Sequence, residues 1–142
     1  MGGQFPIAAA HREVEALHAF FQSWFRGDAS SEAFQRLEQA LADGFVIVTP
    51  DARILERRAI IDGVCSQYAT DPHAQLEIRR ISPRTVRGPI AIVTYEEWQA
   101  RQGGPMRGRL STVVLQADTE GPNGLRWLHV HETWLPECAE NP

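Results

Sequence analysis

The stretch LRWLHVHETWL, residues 125–135, is the last of four segments whose side chains alternate with the period of a β-strand. The other three cover residues 76–81, 90–101 and 107–117. The run GPNG at residues 121–124 separates the last two segments, and its composition is typical of a turn. The second half of the chain therefore predicts a sheet of sequential strands.

The first half of the chain has the period of a helix instead. Apolar residues recur every three or four positions between His11 and Arg26, and the pair Gly27-Asp28 ends that pattern. The remaining predictions are a short helix with the face Phe34, Leu37 and Leu41, a strand over Phe45–Thr49 that returns through Ile54, and a helix over Glu56–Tyr68.

This order of elements predicts the fold class. Helices followed by consecutive strands indicate an α+β domain in which a curved antiparallel sheet wraps around the N-terminal helices. The chain of 142 residues has the size of one domain, so we expect a single domain over residues 1–142 with its core at about 11–136. Curvature of the sheet leaves room for a pocket between the first helix, the third helix and the concave sheet face.

Charge and composition argue against several classes of function. The 14 basic residues are scattered and the formal net charge is −4, which is not typical of nucleic-acid or anionic-membrane binding. No apolar run approaches the roughly 20 residues that span a bilayer, and the N-terminal residues lack a signal-peptide pattern. We expect a cytoplasmic protein with no nucleic-acid or membrane partner. No phosphate loop, dinucleotide fingerprint or nucleophile elbow is present, so we expect no cofactor.

Four segments resemble a known superfamily. They are LHAFFQSWFRGD (17–28), FVIVTPDARILERRAIIDG (45–63), AIVTYEEWQ (91–99) and LHVHETWLP (128–136). Together they resemble the nuclear transport factor 2-like superfamily, a cystatin-like α+β cone. Within it the chain is most similar to bacterial single-domain members of unknown function that resemble ketosteroid isomerases, polyketide cyclases and the association domain of calcium/calmodulin-dependent protein kinase. The resemblance implies a fold, whereas this scaffold hosts many functions.

The familiar ketosteroid isomerase residues are replaced in this chain. Those enzymes carry a tyrosine eight positions before the aspartate of a Gly-Asp pair, and that position is Phe20 here. Their aspartate base precedes a proline after the first strand, and that position is Thr49. Phenylalanine donates no hydrogen bond and threonine is not a base near neutral pH, so the resemblance does not imply steroid isomerisation by that route.

The HVH run raises the question of a metal site. Strict alternation places Trp127, His129 and His131 on one face of the strand and Glu132 on the other. A metal would need a further ligand from another element, such as His11, His18 or Glu97. We therefore predict no metal site, and we expect the three residues on the outer sheet face, where this superfamily often dimerises. This predicts a homodimer through the outer face.

The same alternation predicts candidate pocket residues. The more apolar side, with Leu128 and Val130, should face the helices and bring Glu132 near the mouth of the pocket, and the kinase association domain implies the same orientation. In AIVTYEEWQ the alternation alone does not show whether Glu96 or Glu97 faces the pocket. The resemblance implies that Glu96 points inward. Two inward glutamates would favour a cationic or hydroxylated ligand, and burial could make one of them a base. The alternative is that both glutamates are paired with arginines or reach solvent.

Aromatic residues complete the candidate site. Trp24, Tyr68 and Trp98 are expected to line the pocket, with plain core packing as the alternative. The candidate catalytic residues are Glu96 and Glu132 as acid and base and Tyr68 as a hydrogen-bond donor, while the face of Arg109 stays open.

Three hypotheses follow: a cofactor-free isomerase, cyclase or hydrolase; a protein that binds a small molecule without changing it; and a homodimeric assembly module.

Overall fold

The computed structural model describes residues 5–136, which form helices and one six-stranded sheet. Short 3₁₀ turns lie at Ser31–Phe34 and Pro122–Gly124. Among the described residues, no helix combines the length and hydropathy needed to cross a bilayer. The elements are α1 (Ile7–Arg26), α2 (Gln35–Ala40), β1 (Leu41–Val48), β2 (Ile54–Glu56), α3 (Arg57–Cys65), β3 (Gln75–Arg87), β4 (Ile90–Ala100), β5 (Arg107–Ala117) and β6 (Leu125–Trp134).

The predicted order of elements is confirmed, and the boundaries differ in two informative places. Leu41, expected on the face of the second helix, begins β1, where it pairs with Trp127 of β6. β3 continues past Ile81 and through Pro83 to Arg87. Proline is tolerated there because β3 is an edge strand, so one side of its backbone needs no hydrogen-bonding partner.

The sheet is curved and open, with the strand order β2-β1-β6-β5-β4-β3. The four long strands β3 to β6 pair antiparallel with their neighbours in sequence. β1 lies parallel to β6, so the sheet is mixed rather than wholly antiparallel as predicted. Strands β3 to β6 form a meander that leaves one edge of β6 without a partner. Strand β1, which comes earlier in the chain, pairs with that edge in the parallel direction.

An irregularity in β6 decides which of its residues point inward. Leu115 pairs with Trp127, but the preceding residue Val114 pairs with His129, so Leu128 is an extra residue on β6. Such a bulge reverses the phase of the alternation. Trp127 before the bulge and Val130 after it are consequently both buried.

Helix α1 lies across the concave face of the sheet and is anchored there by a buried carboxylate. Glu13 is fully buried, and its Oε1 accepts hydrogen bonds from Nη2 of Arg36 at 2.6 Å and from Nδ2 of Asn123 at 2.9 Å. Its Oε2 accepts a third from Nε1 of Trp127 at 2.9 Å. A carboxylate so deeply buried is stable only when charge and hydrogen bonds compensate it. Glu13 therefore ties α1 to α2, to the turn before β6 and to β6 itself.

We predict that Glu13→Ala lowers the free energy of unfolding by about 3–5 kcal/mol, because it leaves the half-buried guanidinium of Arg36 and the two neutral donors without their acceptor. Urea denaturation followed by circular dichroism measures this. The control is Glu15→Ala on the exposed side of the same helix, with an expected change within about 0.5 kcal/mol. Similar losses for the two variants would contradict an anchoring role for Glu13.

Candidate functional site

A cavity of about 280 Å³ lies between α1, α3 and the concave face of the sheet. Most of its wall is apolar, and the polar groups come from one side of α1, from the inward rows of β4, β5 and β6, and from Thr49 and Arg101, which follow β1 and β4. The apolar and aromatic lining residues are Leu17, Phe21, Phe25, Leu37, Leu41, Phe45, Ile47, Ile60, Val64, Leu76, Tyr95, Trp127 and Val130.

Two buried glutamates share one arginine at this cavity. Arg109 donates a hydrogen bond from Nη2 to Oε1 of Glu97 at 2.9 Å, and its Nη1 lies 3.3 Å from Oε1 of Glu132. Glu97 is 3% exposed and Glu132 is 7% exposed. The sheet brings them together because Glu97 pairs with Arg109 across β4 and β5, while Glu132 pairs with Ser111 across β5 and β6.

His18 brings the helix into this cluster. Its Nδ1 lies 2.8 Å from the carbonyl oxygen of Val14, one turn earlier in α1, so Nδ1 carries the proton of that hydrogen bond. Its Nε2 lies 3.4 Å from Oε1 of Glu97. The ring is buried and makes an edge contact with Tyr95 at a centroid distance of 5.3 Å. These contacts fix the ring plane and direct the second nitrogen towards the carboxylate.

The two glutamates have opposite pKa shifts. Burial acts to raise the pKa of Glu97, but the charges of Arg109 and His18 outweigh it and lower that pKa from 4.5 to about 2. For Glu132 burial is the largest effect; Arg109 opposes it, the charge of Glu97 adds to it, and the pKa rises from 4.5 to about 7. Burial also raises the pKa of Tyr95 well above 10.0, so its hydroxyl stays protonated. Two carboxyl groups of contrasting acidity thus face one cavity.

A further arginine borders the cavity and is already paired. The guanidinium of Arg101 lies over the ring of Phe25 at 4.5 Å, and its Nε donates to Oδ2 of Asp71 at 3.1 Å. Asp71 is 1% exposed and also accepts hydrogen bonds from the backbone N–H groups of Gln102 at 2.8 Å and His73 at 3.1 Å. Asp71 therefore compensates the charge of Arg101.

The predicted inward position of Glu96 is wrong. Glu96 lies on the outer face, where its Oε1 accepts hydrogen bonds from Arg80 at 2.6 Å and from Nε1 of Trp98 at 2.9 Å. The inward residue is its neighbour Glu97, in the same row as Tyr95 and Gln99. The strand has period two, so an error of one position in the assumed register exchanges the two faces completely. Glu132, by contrast, lines the cavity, though buried rather than at a mouth.

The three aromatic residues expected in the pocket do not line the cavity. Trp98 packs on the outer side of the sheet beneath the guanidinium of Arg79, 4.7 Å from its ring. Trp24 belongs to the core and donates its Nε1–H to the carbonyl of Val64 at 2.7 Å. Tyr68 is 42% exposed and donates its hydroxyl to the carbonyl of Ala29 at 3.0 Å. Each of these polar groups is satisfied by partners outside the cavity.

Of the three residues predicted on the outer sheet face, His129 and His131 lie there but Trp127 does not. Trp127 is 1% exposed and lines the cavity, because the bulge at Leu128 places it on the inner side. His129 and His131 border a shallow outer groove together with Leu110, Thr112, Val114 and Thr133. Among residues 5–136 no group of three His, Cys, Asp or Glu side chains lies close enough to hold a metal ion.

His18, Tyr95, Glu97 and Arg109 were not predicted as pocket residues. One signal was present: Glu97 and Arg109 are opposite charges that face each other when the β4–β5 hairpin is paired through residues 101–106. Predicting this pair of opposite charges from the sequence requires the exact register of the β4–β5 hairpin. The position of His18 depends on how α1 crosses the sheet, which the sequence of the helix does not contain.

The raised pKa of Glu132 predicts a pH dependence of stability. Folded Glu132 binds its proton more tightly than the unfolded chain does, so the free energy of unfolding falls as the pH rises from about 4.5 to about 7. We expect a loss of about 3 kcal/mol over this window that Glu132→Gln abolishes. Urea denaturation of both proteins at pH 5 and pH 7.5 measures the difference. Equal pH dependence in the two proteins would contradict the shift.

Comparison with known proteins identifies a family to which the chain is similar. Residues 10–136 match the family model described as sucrose-6-phosphate phosphohydrolase C-terminal. Sucrose-phosphatase 2 of Nicotiana tabacum is 25% identical in an alignment of 132 residues that covers 89% of this chain and 31% of the tobacco protein. The chain therefore spans about a third of the length of that relative.

Solved structures agree on the architecture. A nuclear transport factor 2-like protein of unknown function from Pseudomonas aeruginosa is 33% identical, with a TM-score of 0.82 over 90% of this chain and 99% of that chain. The CaMKII hub of S. rosetta is 16% identical, with a TM-score of 0.71 over 90% of this chain and 95% of that chain, and shows the fold alone. These matches confirm the predicted superfamily: the chain belongs to the sucrose-6-phosphate phosphohydrolase C-terminal family and has the nuclear transport factor 2-like fold.

Proposed function

We propose that the chain is a small-molecule pocket protein in which Glu132 exchanges a proton with the bound molecule. The observation that carries this proposal is the buried cluster of His18, Glu97, Arg109 and Glu132 at the wall of an otherwise apolar cavity. An apolar cavity with a few convergent polar groups and a shifted pKa is the usual form of a small-molecule site.

The members of the cluster have separable roles in this proposal. A pKa of about 7 gives Glu132 access to both protonation states near neutral pH, as a general acid or base requires. Glu97, with a pKa of about 2, stays ionised and holds Arg109 in place. Arg109 in turn positions the carboxyl group of Glu132 from 3.3 Å. The apolar lining excludes water from these groups and strengthens their electrostatic interactions.

Two versions of the pocket role lead to different measurements. A cofactor-free isomerase, cyclase or hydrolase would use the Glu132 proton in the reaction, so Glu132→Gln would remove turnover while the ligand still binds. A protein that only binds its ligand would show no chemical change, and the same variant would alter affinity alone. The name of the tobacco relative adds sugars and sugar phosphates to the compounds worth testing.

We expect at least one chemical class among amines, organic acids, sugars, sugar phosphates and small aromatic compounds to raise the melting temperature of the wild-type protein. A ligand at about 100 times its dissociation constant adds about 3 kcal/mol, or several degrees at this size. Glu132→Gln should reduce the shift by changing the cavity wall. Glu96→Gln is the matched control because Glu96 lies on the outer face, paired with Arg80. Equal shifts in the two variants would argue against binding at this cluster.

A second candidate function is self-assembly through the outer sheet face. Leu110 is 37% exposed there, and it borders the groove that contains Val114, His129 and His131. An exposed large apolar side chain surrounded by polar ones is typical of an interface between subunits. Three of the similar structures are a CaMKII hub and two proteins assigned to the kinase association domain, which supports assembly as a role for this scaffold.

If this face forms a homodimer, Leu110→Asp should shift the protein to monomer by burying an uncompensated charge at the interface. Sedimentation velocity at several protein concentrations measures the distribution. The control is Ile54→Asp on the edge strand β2, where Ile54 is 70% exposed and away from the groove. Identical distributions for wild type and Leu110→Asp would remove this face as the interface.

A further inference from the structure

The positive groups at the cavity are shared unequally between its two carboxylates. Two carboxylates, Glu97 and Glu132, face the single guanidinium of Arg109. Arg101 also lines the cavity, but the buried carboxylate of Asp71 already compensates its charge. The ring of His18 also faces Glu97, with Nε2 at 3.4 Å, so Arg109 is the positive group that contacts Glu132 as well.

The less compensated of the two carboxylates is Glu132. Arg109 hydrogen-bonds Glu97 at 2.9 Å, and the second nitrogen near Glu97, Nε2 of His18, lies 3.4 Å away. Glu132 has only the 3.3 Å contact with Nη1 of Arg109, and its carboxyl group accepts no hydrogen bond from any residue that the structure describes. It is 7% exposed and lines the cavity. A buried carboxylate without a hydrogen-bond donor is unfavourable, so its donor is expected to come from the cavity.

The other titratable groups around Glu132 do not supply that donor. A protonated His18 directs its Nε2–H to Glu97 rather than to Glu132. The hydroxyl of Tyr95 stays protonated but makes no hydrogen bond to Glu132 within residues 5–136. The free Nε of Arg109 is fully enclosed by protein, so a molecule in the cavity does not reach it. Of the two cavity carboxylates, Glu132 is therefore the one open to a ligand, because its single protein partner is Arg109 at 3.3 Å.

We propose that the cavity binds a monocation, a primary or secondary ammonium group on a compact apolar body, with the ammonium N–H donated to Glu132. This inference rests on the proposed pocket function and names its ligand class. The rings of Tyr95 and Trp127 both line the cavity, with centroids 6.5 Å apart, and aromatic faces stabilise an adjacent ammonium group. The apolar body would pack against Phe21, Phe45 and Ile60, and a volume of about 280 Å³ favours a small molecule.

Binding of a cation should release the proton of Glu132. Below its pKa of about 7 this carboxyl group is protonated in the empty protein, and an ammonium ligand prefers the ionised form. The affinity for an ammonium ligand should therefore rise about tenfold per pH unit below that pKa and level off above it. A neutral ligand of the same shape should show no such rise, and an anionic one should show the reverse.

The test uses three compounds of nearly the same shape: benzylamine, benzyl alcohol and benzoate. Isothermal titration calorimetry at pH 8 with the full chain should give benzylamine an affinity about tenfold or more above that of the other two, because only benzylamine makes a charge-assisted hydrogen bond. Glu132→Gln should reduce benzylamine to the level of benzyl alcohol. It should leave benzyl alcohol within about twofold, and Glu96→Gln should change neither.

The outcomes separate this inference from the function on which it rests. If benzyl alcohol or benzoate binds as well as benzylamine, the cation proposal is overturned and the pocket function stands. If none of the three binds at millimolar concentration, both are overturned for compact apolar ligands. The pH series from 5.5 to 8 needs only the wild-type protein, and a benzylamine affinity that does not change over that range also overturns the proposal.

Discussion

The buried carboxylate of Glu13 is the interaction on which the position of every other group depends. It compensates one positive charge and satisfies three donors, from α2, from the turn before β6 and from β6 itself. Helix α1 is held against the concave sheet by these bonds as well as by apolar burial. Because His18 lies on the same helix, the anchor also fixes the helical side of the polar cluster.

Glu13 and Glu132 illustrate how environment separates structural from functional carboxylates. Glu13 is fully buried and fully satisfied, which makes it a fixed part of the framework. Glu132 is nearly as buried, lacks a hydrogen-bond donor among the described residues, and faces a cavity. Burial disfavours any ionised carboxylate: at Glu13 three donors offset that cost, whereas at Glu132 burial outweighs the charge of Arg109 and raises the pKa. The difference between them lies in the partners that neighbouring elements supply.

The two solved structures share this architecture, and the proteins similar to the chain carry different descriptions. One is a sucrose-phosphatase of which the chain covers about a third, one is a protein of unknown function, and one is a kinase hub. A curved sheet closed on one side by helices provides a cavity and an outer face, and each can acquire a role independently. In this chain the cavity holds His18, Glu97, Arg109 and Glu132, whereas the outer face holds Leu110 and the two histidines.

The sequence by itself determined the α+β class, the order of the elements, the superfamily and the inward position of Glu132. These follow from local periods of 3.6 and 2 residues and from segments whose residues are adjacent in the chain. It did not determine which of Glu96 and Glu97 points inward, nor that Trp127 lies inside while His129 lies outside. Those assignments depend on strand register and on the single extra residue at Leu128, which only pairing with β5 reveals. The cluster of His18, Glu97, Arg109 and Glu132 is a tertiary product, because its members come from α1, β4, β5 and β6 and meet only when the sheet curves around the helix.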